Sequence, residues 1–172
     1  MLAQNQEGDQ LLQLLPIAEH ELSKLAGLTQ ARVIARHEDK LLLVFARRKQ
    51  RWELVGGSLQ PDETARDGAT RQLHEQSSND CKPSKLRFLG AVELLVGPTL
   101  LEQQTHTEFC ALYAVDIDHV ASFIPNEEIG ATLWWSGAEL SHELDGIDRK
   151  LLELGGEREQ HAASNAKAVV NS

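Results

Sequence analysis

Residues 55–79 read VGGSLQPDETARDGATRQLHEQSSN, and this stretch decides the fold. A double glycine, Gly56 and Gly57, opens a short polar loop. Thr64 and Asp67 then stand in capping-box spacing, which predicts a helix from Ala65. At about 100° per residue, Gly68, Ala69, Gln72, Leu73, Glu75 and Gln76 fall on one arc, and Arg66, Asp67, Thr70, Arg71 and His74 on the other. The first arc has small residues that let a helix lie close to a neighbouring layer. It also carries three polar side chains, and polar groups on a buried face need partners.

Outward from the helix, the chain alternates strands and helices. Arg32–Arg36 and Leu41–Arg47 read as two strands around a turn at 37–40, and LLLVFA at 41–46 is apolar enough to be central. Leu86–Val96 and Glu108–Asp116 read as a long antiparallel ribbon, and Ala131–Trp135 as a last short strand that points Trp134 and Trp135 to opposite faces. Leucines at 11, 12, 15, 22 and 25 predict an N-terminal helix interrupted at Pro16. Ser136 and Glu139 repeat the capping-box spacing and predict a helix over 137–144, and a further helix over 148–154 ends at Gly155 and Gly156. The expected organisation is a helical extension over 1–29, one domain over 30–154 and a flexible tail over 155–172. Helices before, between and after mixed strands favour an α/β/α sandwich.

Composition narrows the function. The chain has 172 residues, a formal net charge of -9 and two cysteines in no metal-like spacing, Cys81 and Cys110. An acidic balance disfavours an extended nucleic-acid surface, which draws on clustered Lys and Arg. No run approaches the ~20 apolar residues of a membrane helix, and the leucines near the N-terminus follow Glu7 and Asp9 instead of a basic region. Two cysteines without a framework point to a reducing cytoplasm. Arg47, Arg48, Lys49, Gln50 and Arg51 form a basic cluster in this acidic chain. Composition reads it as a solvated hairpin tip; its place just before Trp52 and the double glycine makes phosphate contact the alternative.

Gly57, Glu63 six residues on, Arg71 eight residues later, Leu73 and Glu75 resemble the Nudix box, G-x5-E-x7-R-E-U-x-E-E-x-G-U, in which U is aliphatic. Trp52 and Gly56 resemble the family's lead-in, and Glu128, Ile129, Trp134, Glu139 and Leu140 its closing segment. The resemblance implies a Nudix-like α/β/α sandwich with a mixed sheet. It also implies hydrolysis of a small nucleoside-diphosphate-linked substrate with Mg2+ or Mn2+ held by helix carboxylates, and a possible homodimer. A hard divalent cation would neutralise the diphosphate and activate water. Carried onto this chain, the metal positions are Glu63, Gln72, Glu75 and Gln76; the catalytic positions are Glu75, Arg71 and Glu128, with Glu127 its neighbour. Gly56, Gly57, Arg47 and Arg51 would meet phosphate.

The chain departs from the box at four positions. Gln72 and Gln76 replace carboxylates, Ser78 replaces glycine and Asn79 replaces an aliphatic residue. An amide oxygen ligates a hard cation without contributing charge, so the departures imply weakened or altered metal-dependent turnover. Two other readings stand beside that one. Gln72, Glu75 and Gln76 hydrogen-bond to loops and hold the turn at 56–61, or the pocket binds a nucleotide-like ligand without cleaving it. Arg71 has its own alternative, a surface pair with Asp67.

Overall fold

The computed structural model describes residues 1–170 and consists of one mixed sheet with a helix on each face. The strands are β1 (Ala3–Gln4), β2 (Gln10–Leu15), β3 (Leu28–His37), β4 (Lys40–Ala46), β5 (Arg51–Glu53), β6 (Val55–Ser58), β7 (Arg87–Val96), β8 (His106–Asp116) and β9 (Ile129–Trp135). The helices are α1 (Ala65–Ser77) and α2 (Gly146–Val170). The path runs β1-β2-β7-β8-β3-β4-β5, with β6 on β3 and β9 on β4. β3 and β8 pair in parallel, while the other pairs are antiparallel. This is the α/β/α sandwich with a mixed sheet that the sequence predicts.

Strand alternation builds two cores. Ala31, Val33 and Ala35 of β3 join Val44, Val55, Ala111 and Tyr113 against Ala65, Ala69 and Leu73 of α1. Ile34, one residue out of phase, joins Leu43, Leu112 and Ala114 on the opposite face, against Ile147 and Leu151 of α2. The 86–96 and 108–116 segments pair as the expected ribbon, with Ala91 opposite Ala111. Trp134 packs against the α1 core and Trp135 against the α2 core, as their adjacent positions on a strand require.

Three expected elements differ. The N-terminal leucines form a strand, not a helix: β2 pairs with β7, Leu11 opposite Leu94 and Leu15 opposite Ala91, and only Glu19–Lys24 turns as a short 3-10 helix. A register shift between Leu11 and Gln13 breaks the two-residue alternation, so the leucine spacing mimics a helical period. Residues 137–144 do not form a helix. Their backbone serves β5 instead: Trp52 N–H donates to Glu143 O at 2.8 Å, and Asp145 N–H to Trp52 O at 2.9 Å.

The third difference is the C-terminus, where α2 runs through Gly155 and Gly156 to Val170. A Cβ at Gly155 would lie 2.4 Å from Ile34 Cδ1, so this glycine permits close approach to the sheet and does not stop the helix. Arg158 Nε, donating to Leu89 O at 3.1 Å, and Glu159, pairing with Arg36 and with Arg87, hold the helix on the sheet. The expected flexible tail at 155–172 is therefore helical to Val170; positions 171–172 lie outside the described residues.

Candidate nucleotide-binding cleft

The cleft is built where β6 meets α1. At Gly56, φ is +153° and a Cβ would lie 2.3 Å from Ala31 O, so any side chain would force β6 off β3. The chain then crosses Ser58 and enters α1 through Thr64, whose hydroxyl accepts the Asp67 N–H at 3.1 Å. Gly68 has no room for a side chain either: a Cβ there would come within 2.8 Å of Glu63 Oε1 and 2.4 Å of Leu59 Cδ2. The entering loop is thereby packed onto the first turns of the helix.

Arg71 gathers two carboxylates, those of Glu63 and Glu75. Its Nε and Nη2 bind the two Glu63 oxygens at 2.7 and 2.9 Å, Nη1 binds Glu75 at 2.9 Å, and Nη2 also reaches Ser58 O at 3.3 Å. The expected alternative pairing with Asp67 is not formed. Glu63 also accepts the Gln60 N–H at 3.0 Å. The Arg71 hydrogen bonds, with that N–H, hold the Glu63 carboxyl below the usual carboxylate range, and the same bonds hold Arg71 charged.

The two glutamines act as latches. Gln76, 5% exposed, accepts the Gly56 N–H at 3.0 Å and donates from Nε2 to Gly56 O at 2.8 Å. Both hydrogen-bonding groups of one glycine are thus closed by one side-chain amide. Gln72 Nε2 donates to Ser58 O at 2.9 Å, while its buried Oε1 has no donor. Helical projection places Glu75 on the inward arc with these two, but its side chain is 54% exposed. It sits at the margin of the arc, where Arg71 draws it outward.

These residues do not fit a cation held by helix carboxylates. Both Glu63 oxygens are occupied by Arg71, one Glu75 oxygen is likewise occupied, and both Gln76 groups are closed on Gly56. Of the four positions only Glu63 and Glu75 carry charge, both bridged by Arg71, and Gln72 and Gln76 are neutral. Among the described residues no three His, Cys, Asp or Glu side chains are grouped as a metal site. A hard divalent cation takes six or more oxygen ligands and gains affinity from their charge.

The basic cluster divides. Arg51 is 2% exposed and bonded to Glu7 at 2.8 Å, Asp145 at 2.8 Å and Glu53 at 3.2 Å, so its guanidinium is committed to carboxylates and does not serve the cleft. Its position beside β4 puts it under α2, which periodicity alone does not reveal. Arg47 Nε donates to Asn126 O at 2.7 Å, and Arg47 N–H to Glu128 O at 2.9 Å, so Arg47 fastens the loop before β9. Arg48 is exposed, makes no ion pair among the described residues and lines the cleft. It shares a cavity of about 630 Å³ with Arg32, Lys49, Glu53, Gly56, Gly57, Ser58, Glu127 and Glu128.

Glu127 and Glu128 are both exposed and also border a second cavity of about 660 Å³, whose other walls are His74, Glu75, Ser78, Phe123, Ile124 and Asn126. The two box departures at the end of α1 shape this side. Ser78 closes the helix in the left-handed conformation at φ +62°, the task of the glycine in the box. Asn79, 2% exposed, accepts the Ala121 N–H at 2.9 Å and donates to Ser77 Oγ at 3.1 Å. A polar residue in an aliphatic position, followed by a long loop, is the sequence signal for such a pin.

Residues 28–155 match the model of the NUDIX domain. The chain is similar in structure to the Bacillus subtilis pyrophosphohydrolase BsRppH, with a TM-score of 0.70 at 17% identity over 94% of this chain and 98% of that one. It is similar to a MutT/nudix family protein from Enterococcus faecalis, at 0.62 and 13% over 85% of this chain and 64% of that one. The NUDIX domain of Shewanella oneidensis NrtR, solved in complex with ADP ribose, gives 0.60 and 19% over 83% and 98%. No curated protein sequence matches significantly. At these identities the structural likeness establishes the fold, and the domain match, spanning most of the chain, establishes the lineage: this protein belongs to the Nudix family.

Proposed function

We propose that this chain binds a small nucleoside-diphosphate-linked molecule and does not hydrolyse it efficiently. The observation that carries the reading is the double hydrogen bond between Gln76 and Gly56. A carboxylate at 76 would accept the Gly56 N–H but would face the Gly56 carbonyl with no proton to donate. The position that the box uses for a metal ligand here holds the glycine turn. With Glu63 committed to Arg71, the chain keeps the cleft and its entrance but lacks convergent charge for Mg2+ or Mn2+. Arg48, with Lys49 beside it, is the group we assign to phosphate, in place of Arg51.

The other reading is a slow hydrolase, with Glu75 ligating a metal, Arg71 orienting it and Glu128 acting as base. It is favoured by the free Glu75 oxygen and the donor-less Gln72 Oε1. Thermal unfolding with a panel of ADP-ribose, UDP-glucose and related diphosphates, with and without Mg2+ or Mn2+, separates the two. Ligand binding to the folded state raises the midpoint. The binding reading expects a shift that persists in chelator and no product; metal-dependent product at ordinary enzymatic rates would overturn it. We further place the protein in a reducing compartment, in keeping with two free cysteines, one of them buried. Among the described residues, no helix is long and apolar enough to cross a membrane.

A further inference from the structure

Arg32 borders two spaces at once. It lines the cleft beside Gly56, Gly57 and Ser58, and it lines a smaller cavity of about 110 Å³ beneath α2 together with Asp145 and Asp148. Strand register explains the placement: Arg32 of β3 stands opposite Gly56 of β6, and a Cβ at Gly56 would lie 2.7 Å from Arg32 Cδ. The bare glycine lets the arginine stem pass. A guanidinium has five N–H donors, and Arg32 uses one of them in a hydrogen bond, from Nη1 to Ala31 O at 3.2 Å. Its Nε lies 3.6 Å from Asp148 Oδ1, an ion pair too long for a hydrogen bond, and its Nη2 donates to no described residue. Arg51, in the same small cavity, instead directs its donors to Glu7, Glu53 and Asp145.

Asp148 is 2% exposed, and its Oδ2 accepts the Leu54 N–H at 2.9 Å. The groups that face it are Arg32 from β3, Glu53 from β5, Cys110 from β8 and Asp145 from the segment ahead of α2; Asp9, Lys49 and Arg51 complete the charged lining. Among the described residues Arg32 is the one cation in ion-pair contact with Asp148. Burial outweighs the pull of Arg32 and pushes the Asp148 carboxyl up to about 7, while Cys110, pushed up to about 12, stays a thiol. No histidine lines either space. On the cleft side, Glu53 is held by Arg51 at 3.2 Å and Lys49 at 3.4 Å, and Glu127 and Glu128 are exposed, where solvent and salt screen them. Arg32, 19% exposed, is screened far less.

We propose that Arg32 is an anion-binding residue of the cleft, meeting the diphosphate through the donors that no protein group uses, and that Asp148 is a positioning residue whose charge competes with the ligand for Arg32. This rests on the reading above that the cleft takes a nucleoside-diphosphate-linked molecule, and it makes the first turn of α2 a control on affinity. Protonating Asp148 ends the competition, so binding takes up a proton and affinity rises as pH falls through the Asp148 value. If only the form with neutral Asp148 bound, affinity would change about tenfold between about pH 6 and pH 8; partial competition gives less.

Titration calorimetry with ADP-ribose and UDP-glucose, in chelator and at constant ionic strength, tests this, because their diphosphate diesters keep the same charge over that range. The parent is expected to bind about three- to tenfold tighter at about pH 6 than at about pH 8. Near neutrality it should take up a proton on binding, read from the heat in buffers of different ionisation enthalpy. Asp148→Asn keeps an oxygen for the Leu54 N–H and should bind independently of pH, at least as tightly as the parent at its acid limit. The Arg32→Gln, Asp148→Asn double variant leaves neither charge of the pair and should bind about tenfold more weakly than Asp148→Asn. Parent affinity that does not change with pH, a pH dependence that persists in Asp148→Asn, or a double variant that binds as tightly as the single one overturns the assignment while leaving diphosphate binding intact. Binding of neither compound to the parent at any pH overturns the function proposed above, and this assignment with it.

Discussion

Replacing Gln76→Glu restores the residue type of the Nudix box, and the structure says that it should harm the protein. The amide at 76 donates to Gly56 O at 2.8 Å and accepts from Gly56 N at 3.0 Å, at 5% exposure. A carboxylate loses the donated bond and leaves a carbonyl unpaired, a cost of about 1–3 kcal/mol. It also brings a buried charge whose penalty, unpaired, adds several more, so the total approaches a large part of a typical domain's ~5–15 kcal/mol. The introduced carboxyl avoids this by staying protonated, because a protonated acid can donate to the carbonyl.

Its folded pKa is therefore raised, and the sign follows. The variant is close to the parent in stability at about pH 4, and loses stability as pH rises through the raised folded value toward about pH 8. Urea denaturation of parent and variant across that range measures the difference, with Gln76→Ala as a control whose deficit stays flat with pH. Parity of Gln76→Glu with the parent at about pH 8, or metal-dependent hydrolysis gained by it, refutes the latch.

Other expectations follow from single residues. Ser78→Gly relieves a left-handed serine at φ +62° and should stabilise the fold by about 1 kcal/mol in thermal or urea unfolding; no gain would show that the serine hydroxyl or its neighbours offset the strain. Asn79→Ala removes the acceptor for the Ala121 N–H and should cost about 1–2 kcal/mol, with faster amide exchange at Ala121 than at core strands. Burial pushes the Asp148 carboxyl up to about 7, against the pull of Arg32 at 3.6 Å, so the stability tied to its protonated form is lost as pH rises from its ordinary value through 7. The stability of Asp148→Asn relative to the parent should accordingly move in the variant's favour between about pH 4 and pH 8; a difference that does not change with pH would contradict that placement.

The box helix was legible because capping chemistry and helical period agree there: Thr64 caps, and Gly68, Ala69 and Leu73 are buried as projected. The central strands were legible for the same reason, since apolar runs such as Leu41–Phe45 have one sensible place in a mixed sheet. The elements that misled are those where tertiary contacts decide. A bulge in β2 hides its alternation, Gly155 serves contact with Ile34 instead of a helix stop, and residues 137–144 give their backbone to Trp52. At the site, the positions of Glu63, Arg71, Gln72 and Gln76 could be read from spacing. The partners that define their roles could not, because Gly56, Ser58 and Glu63 meet the helix only through the folded turn. Arg51 is the clearest case: one residue in a basic run, it is turned under α2 by Glu7, Glu53 and Asp145.

On the reading proposed above, the cleft holds a nucleoside-diphosphate-linked molecule without needing a metal to do so. Phosphorus NMR of the protein with a ligand found by thermal shift, first in chelator and then in excess Mg2+ or Mn2+, tests it most directly. Bound-state diphosphate resonances are expected in chelator, with an intact diphosphate linkage after prolonged incubation with metal. Resonances that shift only when metal is added, followed by conversion to monophosphate products, would contradict it.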